Sequence, residues 1–134
     1  MINLKDIAKE TKTATLDYPG KGGFKVTVNL VTRTRASKIH KESLQVKMND
    51  LGVMEESINE DKFNNKFVSA AISGWEGLTG AHIKDMLPVD EDAITDEDTI
   101  EYTHDNAMML VQQCGEFDKW LNEVVFKLRH FRRN

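Results

Sequence analysis

The residues best suited to catalysis in this chain of 134 residues are one cysteine and four histidines. A cysteine beside a histidine could supply a thiolate nucleophile. Cys114 falls on an apolar helical stripe, however, and a thiol buried among apolar side chains is normally inert. No spacing of cysteine and histidine matches a zinc site, and neither a Gly-x-Ser-x-Gly elbow nor a glycine-rich nucleotide-binding fingerprint occurs. We therefore expect a protein that is not an enzyme and uses no cofactor or metal ion.

Acidic residues in the second half of the chain have the spacing of some calcium-binding loops. A loop from Asp90 to Glu101 would place acids at its positions 1, 3 and 12. Positions 5 and 6 would be Ile94 and Thr95, where an EF-hand requires an oxygen ligand and a glycine. The same acids in the first turn of a helix would instead complement the positive end of the helix dipole. We expect that second role and no calcium site.

A glycine-rich loop, residues 19–23, could in principle cradle a phosphate. It lacks the Gly-Lys-Ser/Thr ending and the strand-loop-helix order that such cradles need. The loop is flanked by apolar residues that alternate with polar ones, namely Ala14, Leu16, Tyr18, Phe24, Val26, Val28 and Leu30. This alternation predicts a β-hairpin over residues 13–31 with one buried face. Residues 1–12 are predicted to be a flexible arm or a short helix.

The segment after the hairpin is predicted to be a helix through about Met48, in which Leu44, Met48 and Leu51 face inward at i, i+4 and i+7. Its other face is basic and comprises Arg33, Arg35, Lys38, Lys41 and Lys47. Nucleic acid phosphates could bind such a face, but no stacking aromatic residues are interleaved with the cations. We expect Arg33 and Arg35 to contact a protein partner rather than nucleic acid.

Apolar residues at i+4 steps predict a central core helix that begins near residue 59. The stripe comprises Phe63, Phe67, Ala71 and Trp75. Positions four apart lie on one side of a helix, so this stripe should be buried. Trp75 is expected at the end of this helix, as a core anchor whose indole N–H needs an acceptor.

The C-terminal segment carries a heptad-like apolar seam. The seam comprises Ala107, Leu110, Cys114, Phe117, Leu121, Val124, Leu128 and Phe131. Gly115 interrupts it, and glycine costs about 1 kcal/mol inside a helix. We therefore expect two helices, at about 105–113 and 116–131. The surface around Trp120, Phe126 and Arg129 is a candidate for partner contact.

Together these elements predict an α+β fold, predominantly α-helical, in a single domain of residues 1–134. The β-hairpin would pack on a bundle of about four to five helices formed by residues 33–134. No apolar run reaches the roughly 20 residues that a membrane-spanning helix needs, and the first residues do not resemble a signal peptide. We expect a soluble, unexported protein that does not bind membranes.

The net charge of −4 is distributed unevenly. Residues 1–50 carry ten Lys/Arg against five Asp/Glu, residues 51–118 carry three against sixteen, and residues 119–134 carry five against one. A basic start, an acidic middle and a basic end could pair head to tail with other copies of the chain. The sequence therefore indicates a homo-oligomer, with solvated charged faces as the simpler alternative.

Three short segments carry a resemblance to a known family. They are residues 71–78 (AISGWEGL), 87–90 (LPVD) and 105–110 (DNAMML), the last of which precedes a break and a final amphipathic helix. They resemble the tail assembly chaperones of long-tailed, siphovirus-type bacteriophages. In that family a Trp-x-Gly-Val/Leu element precedes a polar loop and a proline between apolar residues. Trp75, Gly77, Leu78 and Pro88 occupy those positions here.

The resemblance implies a non-enzymatic role in virion assembly. Such chaperones bind the tape measure protein, keep it soluble and promote polymerisation of tail tube subunits around it. The implied partners are the tape measure protein, the tail tube protein and a longer product of translational frameshifting. The implied location is the host bacterial cytoplasm, and the protein would be absent from the mature virion. The alternatives are a structural head-tail or tail component of a virion and a small nucleic-acid-binding regulator.

Overall fold

Helices and two small antiparallel sheets make up an α+β fold. The structure is a computed structural model and describes residues 1–132. Its strands are β1 (Thr13–Asp17), β2 (Lys25–Asn29), β3 (Leu44–Met48), β4 (Met54–Ile58) and β5 (Ile72–Glu76). Its α-helices are α1 (Leu4–Ile7), α2 (Arg33–Glu42), α3 (Glu60–Ala71), α4 (Gly80–Met86), α5 (His104–Gln113) and α6 (Gly115–Val125). Short 3₁₀ turns span Glu91–Ala93 and Leu128–Phe131.

The first sheet has the strand order β1-β2-β5, and both pairings are antiparallel. β1 and β2 form the hairpin that the alternation and the glycine-rich loop predict. β5 pairs with the other side of β2, where Trp75 lies opposite Val26. A β-bulge between Thr27 and Val28 shifts the register of this second pairing. β2 is therefore the central strand, and Val26 and Val28 are fully buried.

Helices α3, α5 and α6 pack together over this sheet and enclose the core. The largest fully buried side chains are Phe24, Ile72, Leu78, Leu110, Phe117 and Leu121. The predicted C-terminal seam is confirmed as a core face, because all of its members except Leu128 are buried. Cys114 is buried within it, as predicted.

The prediction that the central helix continues to Trp75 is wrong. α3 ends at Ala71, and the next residues form β5. The reason is tertiary: without β5, the backbone groups on one side of β2 would have no partner, and a buried backbone group without a hydrogen bond is costly. Trp75 is thus a strand residue opposite Val26.

The prediction of a helix through Met48 is also wrong. α2 ends at Glu42, and β3 and β4 form a second hairpin. Apolar and polar residues alternate along β3, which suits a strand as well as the i, i+4 spacing suits a helix. Gly52 has φ +78° and allows the tight turn that joins the two strands. The last five residues of the predicted helix are therefore strand, and the fold is not a simple helical bundle.

The C-terminal segment is close to the prediction. α5 and α6 are separate helices with a break at Cys114, as expected from Gly115. α6 ends at Val125 rather than near residue 131, and a 3₁₀ turn follows. Within the first twelve residues the structure has the exposed one-turn helix α1. Residues 133 and 134, at the end of the predicted helical region, lie outside the described residues.

Candidate partner-binding surfaces

Cys114, His82 and His104, which were considered for catalysis, lie at helix junctions or helix starts. Cys114 is 6% exposed, at the junction of α5 and α6. The ring of His82 belongs to the N-terminal cap of α4, where its Nδ1 accepts the Thr79 backbone N–H at 3.3 Å. The buried Nε2 of His104 has no hydrogen-bond partner among the described residues. Within residues 1–132, no group of three or more His, Cys, Asp or Glu is arranged to hold a metal ion. That the protein is not an enzyme stays a prediction.

Trp75 joins β5 to the chain that precedes α5. Its indole Nε1–H donates to the backbone carbonyl of Ile100 at 2.9 Å. Its ring meets Tyr102 edge to face, with centroids 5.1 Å apart, and meets Phe24 in the same way at 6.0 Å. The Tyr102 hydroxyl in turn donates to the Ile72 carbonyl at 3.2 Å. Trp75 is half-buried and therefore acts as a packing anchor against the core.

The other residues of the family-like motif are mainly structural. Gly77 has φ +75°, and a Cβ at this position would overlap the backbone carbonyl of Gly23. The end of β5 can thus approach the first hairpin loop only because Gly77 has no side chain. Leu78 is 1% exposed in the core, whereas Pro88 lies at the surface after α4. Gly77 and Pro88 are exposed, and of these two only Pro88 has a side chain that a partner could contact.

Arg33 and Arg35 lie in the first turn of α2 and are exposed. Thr32 caps this helix, and its Oγ1 accepts the Arg35 backbone N–H at 3.2 Å. Arg35 lines a cleft of about 610 Å³ whose wall also contains Lys9 and Lys38. The structure therefore keeps the predicted basic face of α2 accessible, over a shorter helix than expected.

The candidate residues at the C-terminus lie on two different surfaces. Trp120 is half-buried and packs on Tyr18, with ring centroids 5.1 Å apart. Phe126 is 48% exposed and stacks on Phe67 at 5.8 Å, and Arg129 is exposed in the following 3₁₀ turn. Trp120 contacts the first hairpin and Phe126 contacts α3, so the two aromatic side chains do not form one patch.

A backbone hydrogen bond brings the start of α2 to the end of α6. The Val31 N–H donates to the Val125 carbonyl at 2.8 Å. Arg33 follows Val31 by two residues, and Phe126 directly follows Val125. The start of α2, which carries Arg33, therefore lies beside the end of α6, which Phe126 follows. Trp120 lies in the middle of α6.

The largest group of exposed apolar side chains lies on the β3–β4 hairpin, which sequence reasoning missed. These side chains are Leu44, Val46, Met48, Leu51, Val53 and Met54, which are between 38% and 86% exposed. Directly opposed residues of an antiparallel pair project from the same face. Leu44, Val46, Met48, Met54 and Ile58 thus share one face, which we name the apolar hairpin face. Glu56, opposite Val46, is the one charged residue on this face. The alternation of Leu44, Val46 and Met48 is the sequence pattern that could have predicted it.

The ends of this hairpin are well defined. At the tip, the Asn49 Oδ1 accepts the backbone N–H groups of Leu51 and Val53 at 2.9 and 3.0 Å. At the base, Ser43 is fully buried, and its hydroxyl donates to the Ile39 carbonyl at 2.7 Å. The hairpin is thus an ordered projection from the junction of α2 and α3.

Two short ion pairs involve charged residues of α2 and of the acidic segment. Lys66 donates to Glu42 at 2.8 Å, joining α3 to α2, and this hydrogen bond lowers the pKa of Glu42. Lys84 donates to Asp96 at 2.8 Å, which raises the pKa of Lys84. In the acidic segment, Asp90 caps the 3₁₀ turn Glu91–Ala93 by accepting the Asp92 N–H at 3.1 Å. The acids thus begin a single helical turn, shorter than the helix expected from sequence.

Within residues 1–132, the helices are too short or too polar to cross a membrane. Comparison with protein-family models, curated proteins and solved structures gives no match to this chain.

Proposed function

We propose that this chain is a bacteriophage tail assembly chaperone. It binds apolar helical segments of a tape measure protein, keeps that protein soluble and promotes polymerisation of tail tube subunits around it. It self-associates, acts in the cytoplasm of the host bacterium, and leaves before the tail is complete. A longer frameshift product that shares its N-terminus belongs to the same proposal.

The family resemblance supplies the identity of the partner. It depends on the positions of Trp75, Gly77, Leu78 and Pro88. The first three have packing or backbone roles in this fold, so they would define the scaffold of a chaperone rather than its contact surface. The contact surface has to be sought among exposed residues.

The apolar hairpin face is the observation that supports chaperone activity most directly. A chaperone for apolar segments must offer apolar surface that its own core does not use. Burial of apolar surface contributes about 25 cal/mol per Å², so a group of exposed Leu, Val and Met side chains can supply appreciable binding energy. Met side chains are also flexible enough to pack against varied partners. The exposed Phe126 and the basic turn at Arg33 and Arg35 are proposed as secondary contacts.

Co-expression with the tape measure protein encoded in the same genome tests this function. We expect the tape measure protein to move from the insoluble to the soluble fraction when the chain is present. The variant Val46→Ser/Met48→Ser/Met54→Ser, which changes the apolar hairpin face, should lose most of this effect.

The matched control changes the opposite face of the same hairpin. The variant Gln45→Ser/Lys47→Ser/Glu55→Ser changes the same number of residues and leaves the net charge unchanged. It should keep the solubilising effect. If the wild-type chain leaves the tape measure protein insoluble, the proposed function is wrong. Stable presence of the chain in purified particles would favour a structural tail component instead.

A further inference from the structure

Hydrogen bonds at both ends of the β3–β4 hairpin define which backbone groups point out of it. The Asn59 N–H donates to the Ser43 carbonyl, and the Asn49 N–H donates to the Val53 carbonyl, both at 2.8 Å. Both pairs continue the register of the β3–β4 ladder. Hydrogen-bonded and non-hydrogen-bonded pairs alternate in an antiparallel ladder. The odd-numbered residues of β3 therefore bond to β4, and its even-numbered residues point their backbone groups away.

The free edge of β3 thus presents the backbone N–H and C=O groups of Leu44, Val46 and Met48. The side chains of these residues are exposed as well as apolar. An edge of this kind is a template for pairing with another strand. An isolated two-stranded hairpin is also only marginally stable in water, so an additional strand would stabilise it.

The free edge of β4 differs in charge, because its central outward-pointing residue is Glu56. Two β4 strands paired about this residue would place two carboxylates directly opposite each other, which is destabilising. Two β3 strands paired about Val46 would instead place Gln45 opposite Lys47, with no like charges opposed. The charges therefore favour β3 and disfavour β4 as the edge that accepts an identical strand.

We propose that β3 pairs antiparallel with β3 of a second copy of this chain, about a two-fold axis at Val46. Val46 then lies opposite Val46 of the second copy, and Leu44 lies opposite its Met48. The outward-pointing backbone groups of both strands become paired, and the apolar hairpin faces join into one continuous surface. This interface specifies the self-association in the proposed function and rests on that part of it.

Other occupants of this edge satisfy the geometry less well. A helix packed on the apolar hairpin face would leave the outward-pointing backbone groups of β3 without strand partners. Pairing of β3 with β4 of another copy would leave a free edge on each added copy, so the assembly would close only as a complete ring and would otherwise grow as an open filament. The two-fold pairing closes with one interface and leaves Glu56 on each outer edge.

Proline substitutions at the two edges test the interface. Val46→Pro removes an outward N–H without removing a bond inside the hairpin, and proline is tolerated at such edge positions. By sedimentation or light scattering, the wild-type chain should approach twice its 15.3 kDa mass as concentration rises. Val46→Pro should weaken dimerisation by roughly tenfold to a hundredfold, because it removes one N–H from each strand. Glu56→Pro makes the same change on the β4 edge and should leave dimerisation unchanged.

Cysteine cross-linking gives a second readout that does not depend on proline. Directly opposed residues of a hydrogen-bonded antiparallel pair have Cα atoms about 5.5 Å apart, which suits a disulfide. With oxidised glutathione as the oxidant, Val46→Cys should form a covalent dimer and release reduced glutathione. Glu56→Cys should remain largely uncross-linked, and the buried Cys114 should not react.

The proposal is overturned if the wild-type chain is a monomer at high concentration, or if both cysteine variants cross-link equally. Open-ended growth in mass that Glu56→Pro abolishes would show β3–β4 pairing instead. These measurements use the chain alone. A dimer that fails to solubilise the tape measure protein would overturn the chaperone function only, and a solubilising monomer would overturn the interface only.

Discussion

Gly77 and Gly20 have nearly the same backbone conformation in different surroundings. Their φ angles are +75° and +78°, but a Cβ would overlap the Gly23 carbonyl at Gly77 and would meet open space at Gly20. We predict that Gly77→Ala lowers the free energy of unfolding by roughly 2–5 kcal/mol and Gly20→Ala by about 1–2 kcal/mol. Urea denaturation of both variants measures the difference. Equal losses would contradict a special close approach at Gly77.

At the same scale, Trp75 shows how far sequence predicts the role of one residue. Its size and apolar neighbours predict a buried anchor whose indole N–H needs an acceptor. The acceptor is the carbonyl of Ile100, which lies 25 residues away in the chain. A local pattern contains no information about such a distant partner. The sequence therefore predicts that the indole N–H requires an acceptor, whereas the identity of the acceptor depends on the tertiary fold.

Among the elements, the β3–β4 hairpin contributes no side chain to the core. Its two ends meet at the Asn59–Ser43 hydrogen bond, and most of its residues are exposed. We predict that replacing residues 44–58 by a short Asn-Gly turn changes the free energy of unfolding by less than about 1 kcal/mol. Chemical denaturation at a concentration too low for dimerisation measures this.

The first hairpin provides the control for that replacement. Replacing β1 and β2 by a turn of the same kind would remove Val26 and Val28 from the core, so this variant should not fold. If the shortened β3–β4 variant is equally unable to fold, the second hairpin is part of the core rather than a projection.

The secondary structure was predictable where local chemistry favours one state. The Pro/Gly loop between alternating strands predicts the β1–β2 hairpin, and Gly115 predicts the break between α5 and α6. β3 and β5 were missed for different reasons. Leu44 and Met48 fit a helical and an alternating pattern equally well, and only the pairing with β4 decides between them. β5 forms because β2 needs a second partner, which is a non-local requirement.

The candidate surfaces follow from these elements. The basic face of α2 could be predicted because charges at helical spacing remain exposed. A helix over residues 44–48 hides the apolar hairpin face, because it places Leu44 and Met48 in the core. One wrong secondary-structure prediction thus assigns exposed side chains to the core.

In the molecule as a whole, Tyr18 links the first hairpin to the C-terminal helices. Its ring packs against Phe24, Phe117 and Trp120, with centroids 5.1 to 5.6 Å apart. Burial, followed by the nearby Cys114 and Glu116, raises the pKa of Tyr18 from 10.0 to about 12. The folded state therefore keeps this phenol neutral at a pH where the unfolded chain ionises it.

The raised pKa makes the stability of the fold depend on pH in the alkaline range. The contribution of the neutral phenol is fully present below pH 10 and is lost as the pH rises towards 12. We predict that the urea midpoint of the wild-type chain falls over this range more steeply than that of Tyr18→Phe, which keeps the ring. The variant should still show some decline, because burial also raises the pKa of Tyr102. Parallel curves for the two proteins would contradict the prediction.

The position of Cys114 has a practical consequence for studying this chain. It is the only cysteine in the sequence, and its thiol is enclosed where α5 meets α6. Because the thiol is buried, its reaction with an alkylating reagent depends on opening of the surrounding structure, so the labelling rate reports on that opening. Cys114 can therefore report on local opening of the core, and it lies away from the β3 edge at which assembly is proposed.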